Sequence, residues 1–166
     1  MEPLLHTKVA TPIGSLHLIS DEHVLVAAGF SSLAELKTKL SAGDAAREIK
    51  SGKNTEWLTN IVENYFDCDF DAFNTLKVRQ PGNEFSQNAW RAMRKIPSGK
   101  VISYATLAKR AGSPAAVRAA GTACGRNAIA PIIPCHRIVR SDGNLGNYGY
   151  GVSKKEWLLR HEQAID

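Results

Sequence analysis

The sequence predicts an α+β protein built from two halves, the first mixed and the second mainly helical. In the first half, short apolar runs alternate with turn signals such as Thr11-Pro12-Ile13-Gly14, a pattern typical of strands. In the second half, apolar residues recur at helical spacing. Residues 67–84 are interpreted as the connection, so we predict domains 1–82 and 83–166. A chain of 166 residues can bury the cores of two such small units.

The first half should contain both strands and helices. Apolar residues alternate over 16–18, and the turn Asp21-Glu22-His23 separates that strand from the apolar run Val24–Ala28. Leucines at helical spacing over 33–40, after a cap at Ser31-Ser32, predict a helix. The small polar stretch 43–54 is predicted to be a loop. Apolar pairs then repeat every four residues over 57–66, which predicts an amphipathic helix whose aromatic stripe lies in the core.

The second half should begin with three helices. Residues Phe85–Lys95 carry an apolar face and predict the first. The second is capped by Ser103 and closed by Gly112. Ser113 then caps a third, with Pro114 at its first position, which runs to Cys124. Two short helices joined through a glycine match the helix-turn-helix pattern.

The third helix has an unusual composition for one that reads a DNA sequence. Base reading in the major groove needs several Arg, Asn, Gln or Lys side chains, whereas this helix is nearly all Ala and Gly with one long donor, Arg118. Its backbone can approach DNA closely, which favours shallow binding with one inserted side chain, as in minor-groove and base-flipping proteins. The alternative is that the alanines pack a helix crossing.

Charge is distributed unevenly between the halves. Residues 1–84 carry eight Lys and Arg against twelve Asp and Glu, a net charge of −4, whereas residues 85–166 carry thirteen against four, a net charge of +9. A polyanionic partner is therefore expected on the C-terminal half. The composition, 43% apolar and 22% charged, is that of an ordinary globular protein, and the absence of a signal or transmembrane run predicts a soluble intracellular protein.

The cysteines indicate neither a disulfide framework nor a standard zinc site. The three are Cys68, Cys124 and Cys135. They are far apart and form no Cys-x-x-Cys pair, which suits a reducing compartment. A zinc site formed by the N-terminal histidines and Cys68 is a minor alternative, because the spacings match no common ligand pattern. We therefore predict no metal and no cofactor.

The stretch Pro131–Val139 (PIIPCHRIV) frames one of these cysteines with two prolines, so the segment should be extended or a turn rather than a helix interior. A free thiol near its reference pKa of about 8.5 is only about 3% thiolate at pH 7, and the thiolate is the nucleophile. Neighbouring His136 and Arg137 are expected to raise that fraction. If the segment is extended, Cys135 and His136 point to opposite faces, so we expect a bridging water between them. Glu162 would orient the imidazole.

Three motifs give the chain a resemblance to a known family. They are Pro134-Cys135-His136-Arg137, Gly146-Asn147-Tyr148 and the run from Lys155 to Glu162. The chain resembles the O6-alkylguanine-DNA alkyltransferases over roughly residues 85–162. The resemblance implies an N-terminal ribonuclease H-like α/β domain, followed by a helix-turn-helix, winged-helix-like domain that binds DNA and accepts the alkyl group.

The resemblance also implies roles for individual residues. The catalytic set is Cys135 as alkyl acceptor, His136 as its base through water, Glu162 orienting that histidine, and Tyr104 as proton donor and phosphate contact. The substrate-binding set is Asn127, Tyr148 and Lys155, and the DNA-binding set is Arg118, Ser113, Ser141 and Ala119. Arg118 would fill the gap left by a flipped nucleotide, and Asn127 would be the hinge between recognition helix and active-site segment. The sequence departs from the family pattern at Tyr150, which is expected either to narrow the pocket or to point outward.

The implied activity is single-turnover, irreversible transfer of the alkyl group from O6-alkylguanine, and from O4-alkylthymine, in double-stranded DNA to Cys135. The protein is expected to be a monomer, with cooperative binding on DNA left open. It is expected to be cytoplasmic, or nuclear in a eukaryote, and away from membranes. The rivals are an alkyltransferase-like damage binder, which has tryptophan in place of the cysteine, a cysteine hydrolase that turns over, and a transcription factor.

Overall fold

The computed structural model describes residues 2–166, which form two compact units. The first comprises the residues up to Pro81 together with Ala128–Ile132, and the second comprises Gly82–Asn127 and Ile133–Asp166. The short return of the chain to the first unit has no signal in the sequence. The division into domains at residue 82 stays a prediction.

The first unit is built on a mixed five-stranded sheet. Strands β1 (Leu4–Thr11), β2 (Gly14–Asp21) and β3 (Val24–Gly29) form an antiparallel meander. The loops between them are two residues long, and positive φ occurs at Gly14, directly after the first loop, and at Glu22, within the second. Such φ values suit tight hairpin turns. The strand predicted from apolar alternation is confirmed as β2, and the one predicted from the apolar run Val24–Ala28 is confirmed as β3.

Two short strands complete the sheet at its edges. Strand β4 (Ile49–Ser51) pairs parallel to β1, and β5 (Lys77–Val78) pairs parallel to β3, giving the order β4-β1-β2-β3-β5. Ala128–Ile132 joins the first unit beside β3, where Ala130 N donates to the carbonyl oxygen of Ala28 at 3.0 Å. The predicted loop at 43–54 was wrong, because β4 lies inside it.

The helices of the first unit are α1 (Leu33–Lys37), α2 (Ala42–Ala45) and α3 (Glu56–Phe66), with a 3₁₀ turn at Ala72–Thr75. Ser32 caps α1, as predicted, by accepting a hydrogen bond from Glu35 N at 3.2 Å. The amphipathic helix predicted over 57–66 is confirmed as α3, and its aromatic stripe packs inward with Tyr65 only 1% exposed. Helix α2 lies within the segment predicted to be a loop, and the connection 67–84 contains the 3₁₀ turn and β5.

The second unit begins with three helices. They are α4 (Glu84–Arg94), α5 (Tyr104–Arg110) and α6 (Val117–Arg126). Asn83 caps α4 through a 2.9 Å bond from Ser86 N, and Ser103 caps α5 through a 3.0 Å bond from Thr106 N. Inside the unit, Trp90 Nε1 of α4 donates to the carbonyl oxygen of Ala123 in α6 at 2.9 Å, which fixes α6 against α4.

The start predicted for the third helix was wrong. Ser113 and Pro114 lie in a turn closed by a 2.9 Å hydrogen bond from Ala116 N to the carbonyl oxygen of Ser113, and α6 begins at Val117. The Ser-Pro pair is compatible with a turn as much as with a helix start. The connection between α5 and α6 is therefore longer than predicted.

The remainder of the second unit carries a small strand pair and a terminal helix. Strands β6 (Ile102–Ser103) and β7 (Ile138–Val139) pair in parallel, and α7 (Val152–His161) follows an irregular loop. The mixed α+β class predicted from the sequence is confirmed. Within residues 2–166, no helix has the length and apolar character needed to span a membrane.

Candidate functional site

The site is organised around a short 3₁₀ turn, Cys135–Arg137, that lies between Pro134 and β7. Arg137 N donates to the carbonyl oxygen of Pro134 at 3.0 Å and Cys135 N to that of Ile133 at 2.9 Å. The sequence allowed an extended segment or a turn, and the turn is what forms. The inference from an extended strand, that Cys135 and His136 point to opposite faces, therefore does not apply. Cys135 is 8% exposed.

The Glu162 carboxylate, just after α7, holds both side chains that follow the cysteine. His136 Nε2 lies 2.9 Å from Glu162 Oε2, and the Arg137 guanidinium donates to both carboxylate oxygens at 2.9 Å. Arg137 also donates from Nη1 to the carbonyl oxygen of Ile96 at 2.7 Å. Since Glu162 is 2% exposed and His136 is fully buried, this is an ion pair and hydrogen-bond network removed from water.

The electrostatics of the network favour a neutral imidazole. Burial lowers the pKa of His136, and the Glu162 charge only partly offsets that effect. Burial would raise the pKa of Glu162, but the contacts with His136 and Arg137 outweigh it and hold that pKa well below its usual range. A carboxylate can only accept, so Nε2 carries the proton and donates it to Glu162. Nδ1 is then an unprotonated acceptor, buried and without a hydrogen-bond partner among residues 2–166.

The expectation that Arg137 raises the thiolate fraction of Cys135 stays a prediction. All three hydrogen bonds of its guanidinium described above go to Glu162 and Ile96, so Arg137 neutralises the carboxylate. Lys155 is a buried cation that interacts electrostatically with Cys135. Burial lowers the pKa of Lys155, and a thiolate at Cys135 opposes that shift.

Lys155 also ties two backbone segments together. Its Nζ donates to the carbonyl oxygen of Ile138 at 2.6 Å and to that of Asn147 at 3.2 Å. The first of these carbonyls belongs to β7, and the second to the loop before Tyr148. A single fully buried ammonium group thus links the segment after the cysteine to the tyrosine loop.

Tyr104 and Tyr148 approach this region from different elements. Tyr104 is the first residue of α5, and burial, followed by the charges of Cys124 and Cys135, raises its pKa to about 12. Its hydroxyl would lie 3.0 Å from a Cβ at position 146, where Gly146 has φ +77°, so a side chain there would be strained and crowded. Tyr148 is 8% exposed.

These groups share one cleft of about 850 Å³ within the second unit. The predicted residues in its lining are Cys135, Tyr104, Tyr148 and Arg118. Helix α6 also contributes Val117, Gly121, Thr122, Cys124 and Gly125, and the loop after β7 contributes Arg140, Gly146, Asn147 and Gly149. The Cys135 thiol, the two tyrosines and the exposed Arg118 are therefore brought together, although 44 residues separate Tyr104 from Tyr148 in sequence.

The other predicted site residues lie around the cleft rather than in its lining. Asn127, at the end of α6, is buried and donates from Nδ2 to the carbonyl oxygen of Ile133 at 2.8 Å, two residues before the cysteine. Ser113 lies in the α5–α6 turn, Ser141 is exposed after β7, and Ala119 is exposed on α6. His136, Glu162 and Lys155 are buried and do not belong to the lining.

Two titratable side chains of the lining were not predicted as site residues, and the sequence left the orientation of Tyr150 open. Arg140 lines the cleft and lowers the pKa of Tyr104 against the opposing effects, and Cys124, interpreted as a packing residue, lines it too. Tyr150 packs its ring edge-on against Tyr148, with ring centroids 5.6 Å apart, and lies outside the lining. Its effect on the cleft is therefore indirect, through Tyr148.

Comparison with known proteins identifies the family. Residues 84–164 match the DNA-binding domain of 6-O-methylguanine DNA methyltransferase. The methylated-DNA–protein-cysteine methyltransferase of Salmonella typhimurium is 36% identical over 163 residues, covering 96% of this chain and 95% of its own. The chain belongs to this family. The methyltransferase of Methanosarcina barkeri is also 36% identical, over 93% of this chain and 94% of its own.

Solved structures agree with the assignment to this family. The O6-methylguanine methyltransferase family member OGT of Mycobacterium tuberculosis, in a crystal structure with DNA, matches with a TM-score of 0.78 at 28% identity, over 96% of this chain and 93% of that one. A further sequence relative matches only about half of the chain. The bifunctional transcriptional activator and DNA repair enzyme Ada of Escherichia coli is 51% identical over 88 residues, which are 53% of this chain and 25% of Ada. The resemblance stated from the sequence motifs is confirmed.

Proposed function

We propose that this protein repairs DNA by transferring the alkyl group of O6-alkylguanine, and of O4-alkylthymine, irreversibly to Cys135. Family membership supports the reaction class. The observation that carries the proposal for this chain is that Cys135 lies in one cleft with Tyr104, Tyr148 and Arg118, backed by the buried His136–Glu162 pair. This arrangement puts a nucleophile where an extruded base could reach it.

The proposed chemistry is a single displacement at carbon. Unprotonated Nδ1 of His136 takes the thiol proton through a bridging water, and the Cys135 thiolate attacks the carbon attached to O6. The C–S bond forms as the C–O bond breaks, and the electron pair of that bond goes to guanine. Tyr104 gives a proton to the guanine anion and is reprotonated by the proton taken from the thiol. The products are unmodified guanine and a thioether, so one molecule repairs one lesion and no cofactor is needed.

The α6 helix is proposed to bind the minor groove. Its glycines, the half-buried Gly121 and the exposed Gly125, have no neighbouring atoms within 4 Å of where a Cβ would be, so this face can approach a DNA backbone closely. Arg118 would occupy the space left by the flipped nucleotide. Extrusion costs a few kcal/mol, and less for a damaged base whose pairing is weakened.

The remaining predicted residues would enclose the flipped base, hold the active-site segments in place or contact the DNA backbone. Tyr148 would wall the base pocket, and Asn127 would act as hinge through its bond to Ile133. Lys155 would hold the tyrosine loop in place and favour the thiolate electrostatically. Ser113, Ser141 and Ala119 lie on exposed or half-exposed positions and would contact the DNA backbone.

The finer description of the fold and of the setting belongs to the same proposal. The N-terminal domain, 1–82, would have a ribonuclease H-like fold, and the C-terminal domain, 83–166, a winged-helix-like one. The protein would act as a monomer on double-stranded DNA, in the cytoplasm or in the nucleus of a eukaryote, away from membranes.

The test is peptide mass spectrometry after incubation with a duplex containing one O6-methylguanine. We expect the tryptic peptide Asn127–Arg137, which holds Cys135, to gain one methyl group in place of the thiol hydrogen. The gain should be stoichiometric with the lesion consumed and should persist on dilution. An unmodified peptide with the lesion intact would indicate a damage binder. An unmodified peptide with continued consumption of lesions would indicate a hydrolase.

Arg118→Ala should slow the repair of duplex DNA more than the reaction with free O6-benzylguanine. Only the duplex requires a base to be extruded, and losing the inserted side chain should slow that reaction by about tenfold, equivalent to about 1.4 kcal/mol. Single-turnover rates on the two substrates measure the difference. The matched control is Arg126→Ala, which removes an exposed arginine from the same helix but outside the cleft lining. Equal slowing on both substrates would contradict a wedge role for Arg118.

A further inference from the structure

A second, smaller cleft of about 590 Å³ lies in the second unit, between α4 and the end of α5. Its lining residues are Asn88, Arg91, Ala92, Lys95, Arg110, Ala111 and Gly112. We call it the basic cleft. Three of its side chains are exposed cations, and no carboxylate lies in its lining.

The three cations have no ionic partner in the part of the chain that the structure describes. The one side-chain hydrogen bond among them runs from Arg91 to the amide oxygen of Asn88, at 2.5 Å, and none of the ion pairs of residues 2–166 includes Arg91, Lys95 or Arg110. Arg91 and Lys95 are four residues apart, a spacing at which like charges on a helix destabilise it.

Helix dipoles account for only part of this cluster. Arg91 lies in the last turn of α4, Arg110 in the last turn of α5, and Lys95 caps α4, so each interacts favourably with a helix C-terminus. That effect acts on each side chain separately. It does not require three cations from two helices to converge on one concave surface, where they repel one another. A bound polyanion would offset the repulsion.

The position of the basic cleft indicates which polyanion. Its Gly112 end is continuous with the α5–α6 connection, which contains Ser113 and leads to the helix that carries Arg118. A duplex lying along that helix has a phosphate backbone on either side of the groove. Closely spaced arginine and lysine side chains are the usual phosphate contacts of DNA-binding proteins.

We propose that the basic cleft binds backbone phosphates of the duplex flanking the lesion, and so extends the DNA contact beyond the nucleotide taken into the cleft that holds Cys135. This inference rests on the proposed function for the orientation of the duplex. Phosphate contacts carry no sequence information, so the basic cleft holds undamaged and damaged duplex alike.

The experiment measures, by fluorescence anisotropy, how the affinity for an undamaged duplex depends on salt concentration. It compares the wild type with a test variant and a control variant. The test variant is Arg91→Gln, Lys95→Gln and Arg110→Gln combined. Each phosphate contact contributes about 0.9 to the slope of log K against log salt, so the slope should become shallower by about 2.7 for three contacts. The charge-matched control is Lys37→Gln, Lys50→Gln and Lys77→Gln, which removes three exposed lysines from the first unit.

The outcomes separate a local contact from a general effect of net charge. A shallower slope in the test variant alone supports the proposal. An unchanged slope, or an equal change in the control variant, overturns it. Thermal unfolding of both variants, compared with the wild type, reports whether the fold is intact; if the triple variant is less stable, the single variant Arg110→Gln should still reduce the slope by about 0.9. Because undamaged DNA is used, the result does not depend on alkyl transfer to Cys135.

Discussion

Cys135→Ser is expected to abolish alkyl transfer while leaving the affinity for duplex DNA largely unchanged. A serine hydroxyl stays protonated at neutral pH even beside a base such as His136, so the nucleophile that the displacement requires is lost. Because serine has nearly the same volume as cysteine, the shape of the cleft that holds residue 135 is kept. Peptide mass spectrometry measures the transfer and fluorescence anisotropy measures the binding.

The matched control is Cys124→Ser, because Cys124 lines the same cleft. Burial, together with the charge of Cys135, raises the pKa of the Cys124 thiol far above its usual value, so it should supply no thiolate. Trypsin separates the two cysteines into the peptides Ala119–Arg126 and Asn127–Arg137. Methylation of the first peptide, or continued transfer in Cys135→Ser, would show that the acceptor has been assigned to the wrong residue.

The elements that the sequence predicted correctly are those whose stability is local. Helix α3 has a continuous apolar stripe, and α5 has a serine cap together with the left-handed Gly112 beyond its end. Such features act within a few residues, so they are visible in the chain itself. The β2–β3 hairpin is similar, because a two-residue turn joins its strands.

The elements that the sequence missed depend on partners that are distant along the chain. Strand β4 has three residues and β5 has two, which is too few for a periodic pattern. Each exists because it pairs in parallel with a strand more than 40 residues away, as Leu4 does with Ile49. The segment Ala128–Ile132 likewise joins the first unit through long-range backbone bonds. Composition cannot reveal such pairing.

In the candidate site, the proposed nucleophile is easier to identify from the sequence than its electrostatic surroundings. The adjacency of Cys135 and His136 suggests an activated thiol, and Glu162, expected to orient the imidazole, contacts His136. The contacts of Arg137 with Glu162 and Ile96 could not be predicted, because those partners lie 25 and 41 residues away along the chain. Lys155, 20 residues along the chain from the cysteine, influences its charge through a fold that brings the two together.

The largest stability effect is expected from Glu162→Gln. The substitution preserves shape but replaces a carboxylate oxygen with an amide group that donates, facing the donors of Arg137 and His136. It also leaves a buried guanidinium without its counter-charge. Breaking a buried pair from one side costs about 3–5 kcal/mol, so the free energy of unfolding in urea should fall by about that amount at pH 7.

The control for this prediction is Glu156→Gln, which makes the same substitution on neighbouring α7. Glu156 pairs with Arg160 at 2.7 Å, but both side chains are about half exposed. An exposed pair of this kind is worth only about 0.3–0.5 kcal/mol, so the control should change stability little. Equal losses in the two variants would mean that burial adds nothing to the Glu162 network.

Acidification should reveal the same contribution in the wild-type protein. A carboxyl group whose pKa is lower in the folded than in the unfolded state stabilises the fold above its unfolded pKa of about 4.3, and loses that effect as the pH falls towards the folded pKa. The stability difference between wild type and Glu162→Gln should therefore be constant from pH 7 to about 5 and shrink below about 4.3.

A double variant that combines Glu162→Gln with Arg137→Met should recover part of the lost stability, because it removes the unpaired cation. If no stability is recovered, the loss comes from the contact with His136 instead.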